Sequence, residues 1–164
     1  MIAALAWALP ARAQPTLPPG LMQYAADALG RLIGMARQDA IADGVRPIPV
    51  TVYRSLLGYF PADLLQKTRF AVGGARSLTL PALAFSYGDA TAMTLGEVVL
   101  FKSDRQAETD LKVWAHELTH VMQYQRWGID GFADRYVRDS GGVEQEAIDN
   151  ANRFMGWHEG RSPR

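Results

Sequence analysis

Apolar residues recur three and four positions apart near both ends of this chain and crowd into short runs in its middle. Leu21, Ala25, Leu29, Leu32, Ile33 and Ala36 have the spacing of one helix face. They predict an amphipathic helix over Leu21–Asp43 that stops near Gly44. Pro47–Arg54 (PIPVTVYR) is β-branched with partial alternation and predicts a strand. Pro61–Lys67 predicts a short helix with Pro61 at its first position. Three strand-like runs follow, Arg69–Val72, Leu78–Phe85 and Ala92–Phe101, with Gly73-Gly74 and Gly88-Asp89 as turn signals between them.

The pattern then becomes helical for good. Ser103-Asp104-Arg105-Gln106 fits an S-x-x-Q capping box. The helix it opens is expected to reach about Trp127, where Gly128 ends it. Ile129–Gly142, dense in charge, reads as a loop, and Val143 to about Phe154 as a last helix. Helix, strands and then two helices make an α+β fold, with a small mixed sheet formed before the final helices.

Composition narrows the class. The chain has 164 residues, 48% hydrophobic and 21% charged, which suits one globular domain. Such a chain can bury a core without metal or disulfide staples. Seventeen basic residues balance seventeen acidic ones. No basic stripe points to nucleic acid or an anionic membrane, and no apolar run reaches the length of about 18 residues that a spanning helix needs. The absence of cysteine excludes disulfides, a thiolate zinc site and a cysteine nucleophile.

The first residues bear on compartment. Ile2–Leu9 is a short apolar run, followed by Pro10 and the small-x-small pattern Ala11-Arg12-Ala13. Residues 1–13 therefore read as a signal peptide cleaved after Ala13 or nearby, which predicts an exported, periplasmic or secreted protein. A positive segment before Ile2 is missing. Gln14–Gly20, with three prolines in seven residues, reads as an extended spacer. The folded domain is expected over 21–157 and a tail over 158–164.

The chemistry concentrates in VWAHELTHVMQYQRWG, Val113–Gly128. His116 and His120 are four apart on the expected helix, hence on one face. Two imidazoles so placed can bind one Zn²⁺ through nitrogen, while Glu117, one residue along, projects beside the metal as a general base. Shuffling this composition yields H-E-x-x-H in roughly one chain in a thousand. Trp114, Leu118, Val121 and Met122 supply apolar packing around the motif.

A catalytic zinc site needs a third protein ligand. A longer three-histidine motif would require Gly at position 123 and His at 126, where Gln123 and Arg126 stand. The remaining histidine is His158. Glu144 and Glu146 compete as a glutamate ligand. Glu144 shares a helix face with Ala147, Ile148, Ala151 and Met155; Glu146 shares one with Asp149, Asn150 and Arg153. The first face is apolar and should point inward. A carboxylate there needs a counter-charge, which a zinc ion supplies, so the spacing favours Glu144 and leaves Glu146 as a surface acid near Arg153.

These residues resemble a family. Val113–Gln125 together with VEQEAIDNAN, Val143–Asn152, is similar to the glutamate zincins, in which H-E-x-x-H is followed by a helix bearing E-x-x-A. The chain also resembles a bacterial zincin-like domain of unknown function found in proteins of extracellular contractile injection systems and in toxin-like polyproteins. AMTLGEVVLF, Ala92–Phe101, is similar to that domain's strand leading to HELTHVMQ. The likeness covers about Leu21 to Phe154, and its specific part is the motif region. It implies a zincin-like fold with zinc on His116, His120 and Glu144, and Glu117 as base. One position departs: many glutamate zincins carry an acid four residues after the ligand glutamate, to orient a histidine, and here that position is Ile148.

Two functions follow as expectations. One is a zinc metallopeptidase acting on a peptide or protein substrate, with Glu97–Phe101 as an edge strand pairing with it. Ile129–Gly142 would wall the cleft, and Tyr136 and His158 are the candidates for stabilising an oxyanion. The other is a catalytically silent zinc-binding module for recognition or delivery in a bacterial secretion or toxin system.

Overall fold

The computed structural model describes residues 18–73 and 91–161. The expected leader at 1–13, the spacer through residue 17, the expected strand Leu78–Phe85 and the turn Gly88-Asp89 lie outside the described residues. Helix α1 spans Pro19–Asp43, so the end of the expected spacer is helical, and Pro18 occupies the cap position. Strand β1 is the short Arg46–Pro47. Helices α2 (Val50–Leu56) and α3 (Ala62–Lys67) precede strand β2, Arg69–Val72. Strands β3 (Ala92–Leu95) and β4 (Val98–Phe101) form a hairpin. Helix α4 is Asp104–Thr109, and α5 is a long helical run, Leu111–Arg161.

Among the described residues the fold is α+β, mostly helical, with one mixed sheet of four strands in the order β1-β2-β4-β3. β4 lies parallel to β2, with Phe70 opposite Val99, and antiparallel to β3, with Thr94 opposite Val99. All four β4 residues are buried. Val99 and Phe101 join a core with Trp114, Leu118, Val121 and Phe154, whereas Val98 and Leu100 join one with Ile33, Ala36, Tyr124 and Phe132. A strand covered on both faces reads as a continuous apolar run rather than an alternating one.

Several expectations need correction. Pro47–Arg54 is not a strand. Ile48, Val52 and Leu56, four apart, are all buried, while Val50 is 64% exposed. Alternation would have put Val50 and Val52 on one face; the helical period won, with Pro49 leading into the helix. Pro61 sits at the cap before α3 rather than inside it. Ala92–Phe101 is two strands because the chain reverses at Gly96, with φ 68. A side chain at Gly96 would also meet Arg37 Cδ at 3.1 Å. Among the described residues β4 is interior and β3 lies at the sheet's edge, so Glu97–Phe101 is not an edge strand. Glu97 in the turn instead makes a two-bond ion pair with Arg37 of α1.

Ser103 caps α4, its hydroxyl accepting from the Gln106 amide at 3.3 Å. The expected single helix to Trp127 nevertheless breaks at Asp110, whose carboxylate accepts from the Val113 amide at 3.0 Å and caps a new start. Trp114 bridges the break, donating from Nε1 to the Ala107 carbonyl at 2.7 Å. The run α5 is itself interrupted at Gly128 (φ 70, ψ 174) and Asp139 (φ −153, ψ 68), giving segments 111–127, 129–138 and 140–161. Gly128 ends the motif helix as expected. The expected loop Ile129–Gly142 is mostly helical, because Ile129, Phe132, Ala133 and Tyr136 form an apolar face that packs into the core. The last segment continues through His158 to Arg161.

Gly128 has a backbone conformation that is essentially restricted to glycine. Gly128→Ala is expected to lower stability by about 1–3 kcal/mol in chemical denaturation. Gly34→Ala, inside α1 with nothing near its Cβ position, should raise it by about 0.5–1 kcal/mol. Equal effects at the two sites would contradict the break at Gly128.

Candidate metal centre

Segment 111–127 carries His116, Glu117 and His120 on adjacent turns. Its apolar flank, Trp114, Leu118 and Val121, fixes the helix against the sheet, as the sequence predicts. Segment 140–161 crosses it and brings Glu144 to the same place. His116 Nε2 lies 3.1 Å from His120 Nε2, and Glu144 Oε2 lies 3.2 Å and 3.5 Å from these two nitrogens. Among the described residues these three side chains form a group able to hold a metal ion.

The donor atoms fit a tetrahedral cation. Bonds of about 2.0–2.1 Å at tetrahedral angles put ligand atoms about 3.3 Å apart. The three observed separations bracket that value, and the atoms form a nearly equilateral triangle. Two imidazole nitrogens and a carboxylate oxygen are also a common zinc donor set.

Glu117 is not part of this group. It is 5% exposed, and its Oε2 accepts from the Thr94 hydroxyl at 2.7 Å. Thr94 comes from β3, and Tyr124 donates to the Thr94 carbonyl at 3.3 Å, so the sheet's edge strand is tied to the motif helix at Glu117. Glu146 points elsewhere, and pairs not with Arg153 but with Arg126 at 2.7 Å. Burial would raise its pKa, but the hydrogen bonds from Arg126 and Gln123 outweigh this and lower it.

Electrostatics follow the geometry. Burial alone would lower the His120 pKa. The hydrogen bond to Glu144 and the charges of Glu117 and Glu144 outweigh it and push it up to about 9. Burial would raise the Glu144 carboxyl, but its hydrogen bonds with His116 and His120, and their charge, hold it well below the usual range. Burial, with the negative charge of Glu144 and a hydrogen bond to it, pushes the Tyr136 phenol well up. Tyr136 therefore keeps its proton. His158 does not reach the site; it stacks on Phe154 with ring centroids 5.6 Å apart.

Sequence reasoning missed Gln123, Thr94, Thr119 and Asn150. Gln123 Oε1 lies 2.8 Å from His120 Nδ1. Asn150 donates to Thr119 Oγ1 at 2.8 Å, joining segments 111–127 and 140–161. Only Gln123 left a local trace, three residues after His120 and so on the same face.

Set against known proteins, the chain matches the family described as eCIS core domain over residues 47–128, half of its length. The chain belongs to this family. The matched stretch holds His116, Glu117, His120, Thr94 and Gln123, and stops short of Glu144. No curated protein and no solved structure matches the chain. Among the described residues no helix is long and apolar enough to cross a membrane.

The pH dependence of stability follows from His120. A raised histidine pKa contributes stability that is complete below the ordinary value of about 6.5 and is lost as pH rises through about 9. With chelator present, the thermal midpoint should therefore fall across that window, and Glu144→Gln should flatten the fall. A flat wild-type profile would contradict the His120–Glu144 ion pair.

Proposed function

We propose that this protein is a zincin-like, zinc-dependent metallopeptidase domain, exported and working in an extracellular contractile injection system. The observation that carries the metal assignment is the triangle of His116, His120 and Glu144 donor atoms, with edges of 3.1, 3.2 and 3.5 Å. Zinc held there would polarise a scissile carbonyl and lower the pKa of a water toward about 7. Glu117 would take the proton from that water at its carboxylate and pass it to the leaving amine nitrogen. Its bond from Thr94 engages one oxygen, Oε2, and sets the orientation of the other. Tyr136, protonated and facing Glu144, is the donor suited to an oxyanion beside the metal. β3, at the edge among the described residues, is better suited than β4 to pair with an extended peptide.

A second reading has its own support. The family is described by its place in an assembly and not by a reaction. In that reading the same three ligands hold zinc for rigidity, and the domain serves recognition or delivery without turnover.

Purified protein supplied with zinc should hold one equivalent per chain by metal analysis. Glu144→Ala should lose it and Glu146→Ala should retain it. Glu117→Gln should keep the metal while peptide hydrolysis falls by about a hundredfold or more. Zinc binding without hydrolysis of any peptide library would favour the silent module, and no zinc in the wild type would exclude both readings.

A further inference from the structure

Gln123 is fully buried and its one amide has three partners. Nε2 lies 3.0 Å from the Val143 carbonyl and 2.9 Å from Glu146 Oε2. Oε1 lies 2.8 Å from His120 Nδ1. Val143 O and the Glu146 carboxylate can only accept, so the two hydrogens of the amide must point at them. The amide oxygen is thereby forced toward His120, and His120 must donate from Nδ1. In the neutral ring the lone pair is then on Nε2, the atom that faces His116 and Glu144. The tautomer of His120 thus follows from partners whose hydrogen-bonding roles are fixed.

We propose that Gln123 is the positioning residue of the metal centre, locking the His120 tautomer and setting the register between its two ligand-bearing segments. This rests on the zinc reading above. The residue four positions after Glu144 is Ile148, which cannot accept a hydrogen bond from an imidazole. Gln123 fills that role from the motif helix itself. Its bond to Val143, the residue before Glu144, fixes the third ligand through the same amide. The arrangement reaches the surface, because Glu146 is held in turn by Arg126 at 2.7 Å. Gln123 adds no charge, so the site keeps one negative charge fewer than a carboxylate in this role would give it.

The test compares Gln123→Leu with Asn150→Ala. Asn150 joins the same two segments through Thr119 but touches no ligand. Zinc affinity is read by competition with a chromophoric chelator, and unfolding of the metal-free proteins is read beside it. Gln123→Leu should lose about 10–100-fold in zinc affinity. Asn150→Ala should lower the unfolding midpoint and leave zinc affinity within about twofold. In the zinc-loaded wild type, long-range ¹H–¹⁵N spectra should show a slowly exchanging His120 Nδ1 proton that Gln123→Leu loses. Equal affinity losses in the two variants, or wild-type affinity in Gln123→Leu, would overturn the proposal while the zinc reading stands. No zinc in the wild type would overturn both. Should Gln123→Leu fail to fold, Glu146→Ala removes one of the amide's anchors and should weaken zinc about two- to tenfold without abolishing it; unchanged affinity there would refute the role.

Discussion

The carboxylate of Glu144 meets the imidazoles of His116 and His120 at a partly buried place, the His116 and Glu144 side chains 25% and 36% exposed, and the charge of Glu117 acts on His120 from beside them. Glu117 and His120 are 5% and 6% exposed. Such a collection of acceptors and negative charge is unfavourable without positive charge in its midst. A proton on His120 supplies part of it, which is why that imidazole holds its proton up to about pH 9. A divalent cation supplies more, and in binding would expel the proton. Much of the surrounding structure can be understood as the means of holding these four side chains close despite that cost.

The holding is done by breaks in helices as much as by helices. Asp110 caps a fresh start, so that the motif helix leaves α4 and lies against the sheet. Gly128 and Asp139 then turn the chain twice, and Glu144 returns to a helix it left behind. Between the breaks, Phe132 stacks on Tyr124 with ring centroids 4.0 Å apart and meets His120 edge-on at 5.9 Å. This aromatic wall, with Tyr136 beside it, is where the sequence suggests a charged loop. Thr94 approaches Glu117 from the sheet side, so Glu117 and the donor group of His116, His120 and Glu144 are buttressed by different elements.

The histidine pair and the choice of Glu144 over Glu146 were legible because both depend only on helical period. His116 and His120 share a face by spacing, and Glu144 lies on the face of the buried Ala147 and Ala151. It is nevertheless as exposed as Glu146, at 36% against 37%, and differs from it in meeting the histidines rather than Arg126. The capping box at Ser103 and the end at Gly128 were legible for the same local reason. Val50–Leu56 was not, since PIPVTVYR is rich in β-branched residues and only the burial of Ile48, Val52 and Leu56 tells helix from strand. The 129–138 segment was hidden by its arginines and aspartates, although Ile129, Phe132, Ala133 and Tyr136 carry the period. Thr94 and Asn150 were illegible in principle, and Gln123 showed only its place three residues after His120. Their roles lie in contacts with residues 20 to 31 positions away, and no local spacing encodes those.

The family match gives these long-range contacts a further meaning. Residues 47–128 contain strands β2 to β4, the histidine pair and Glu117. Yet the third donor, Glu144, lies beyond that stretch, and so do both acceptors that orient the Gln123 amide, Val143 O and Glu146 Oε2. The matched part by itself would present two histidines, one with an amide free to rotate behind it. Only the returning segment fixes that amide, and it delivers Glu144 in the same turn of helix. Completing the group of three donor atoms and orienting His120 are therefore one structural event, and a change that moved segment 140–161 would weaken both together.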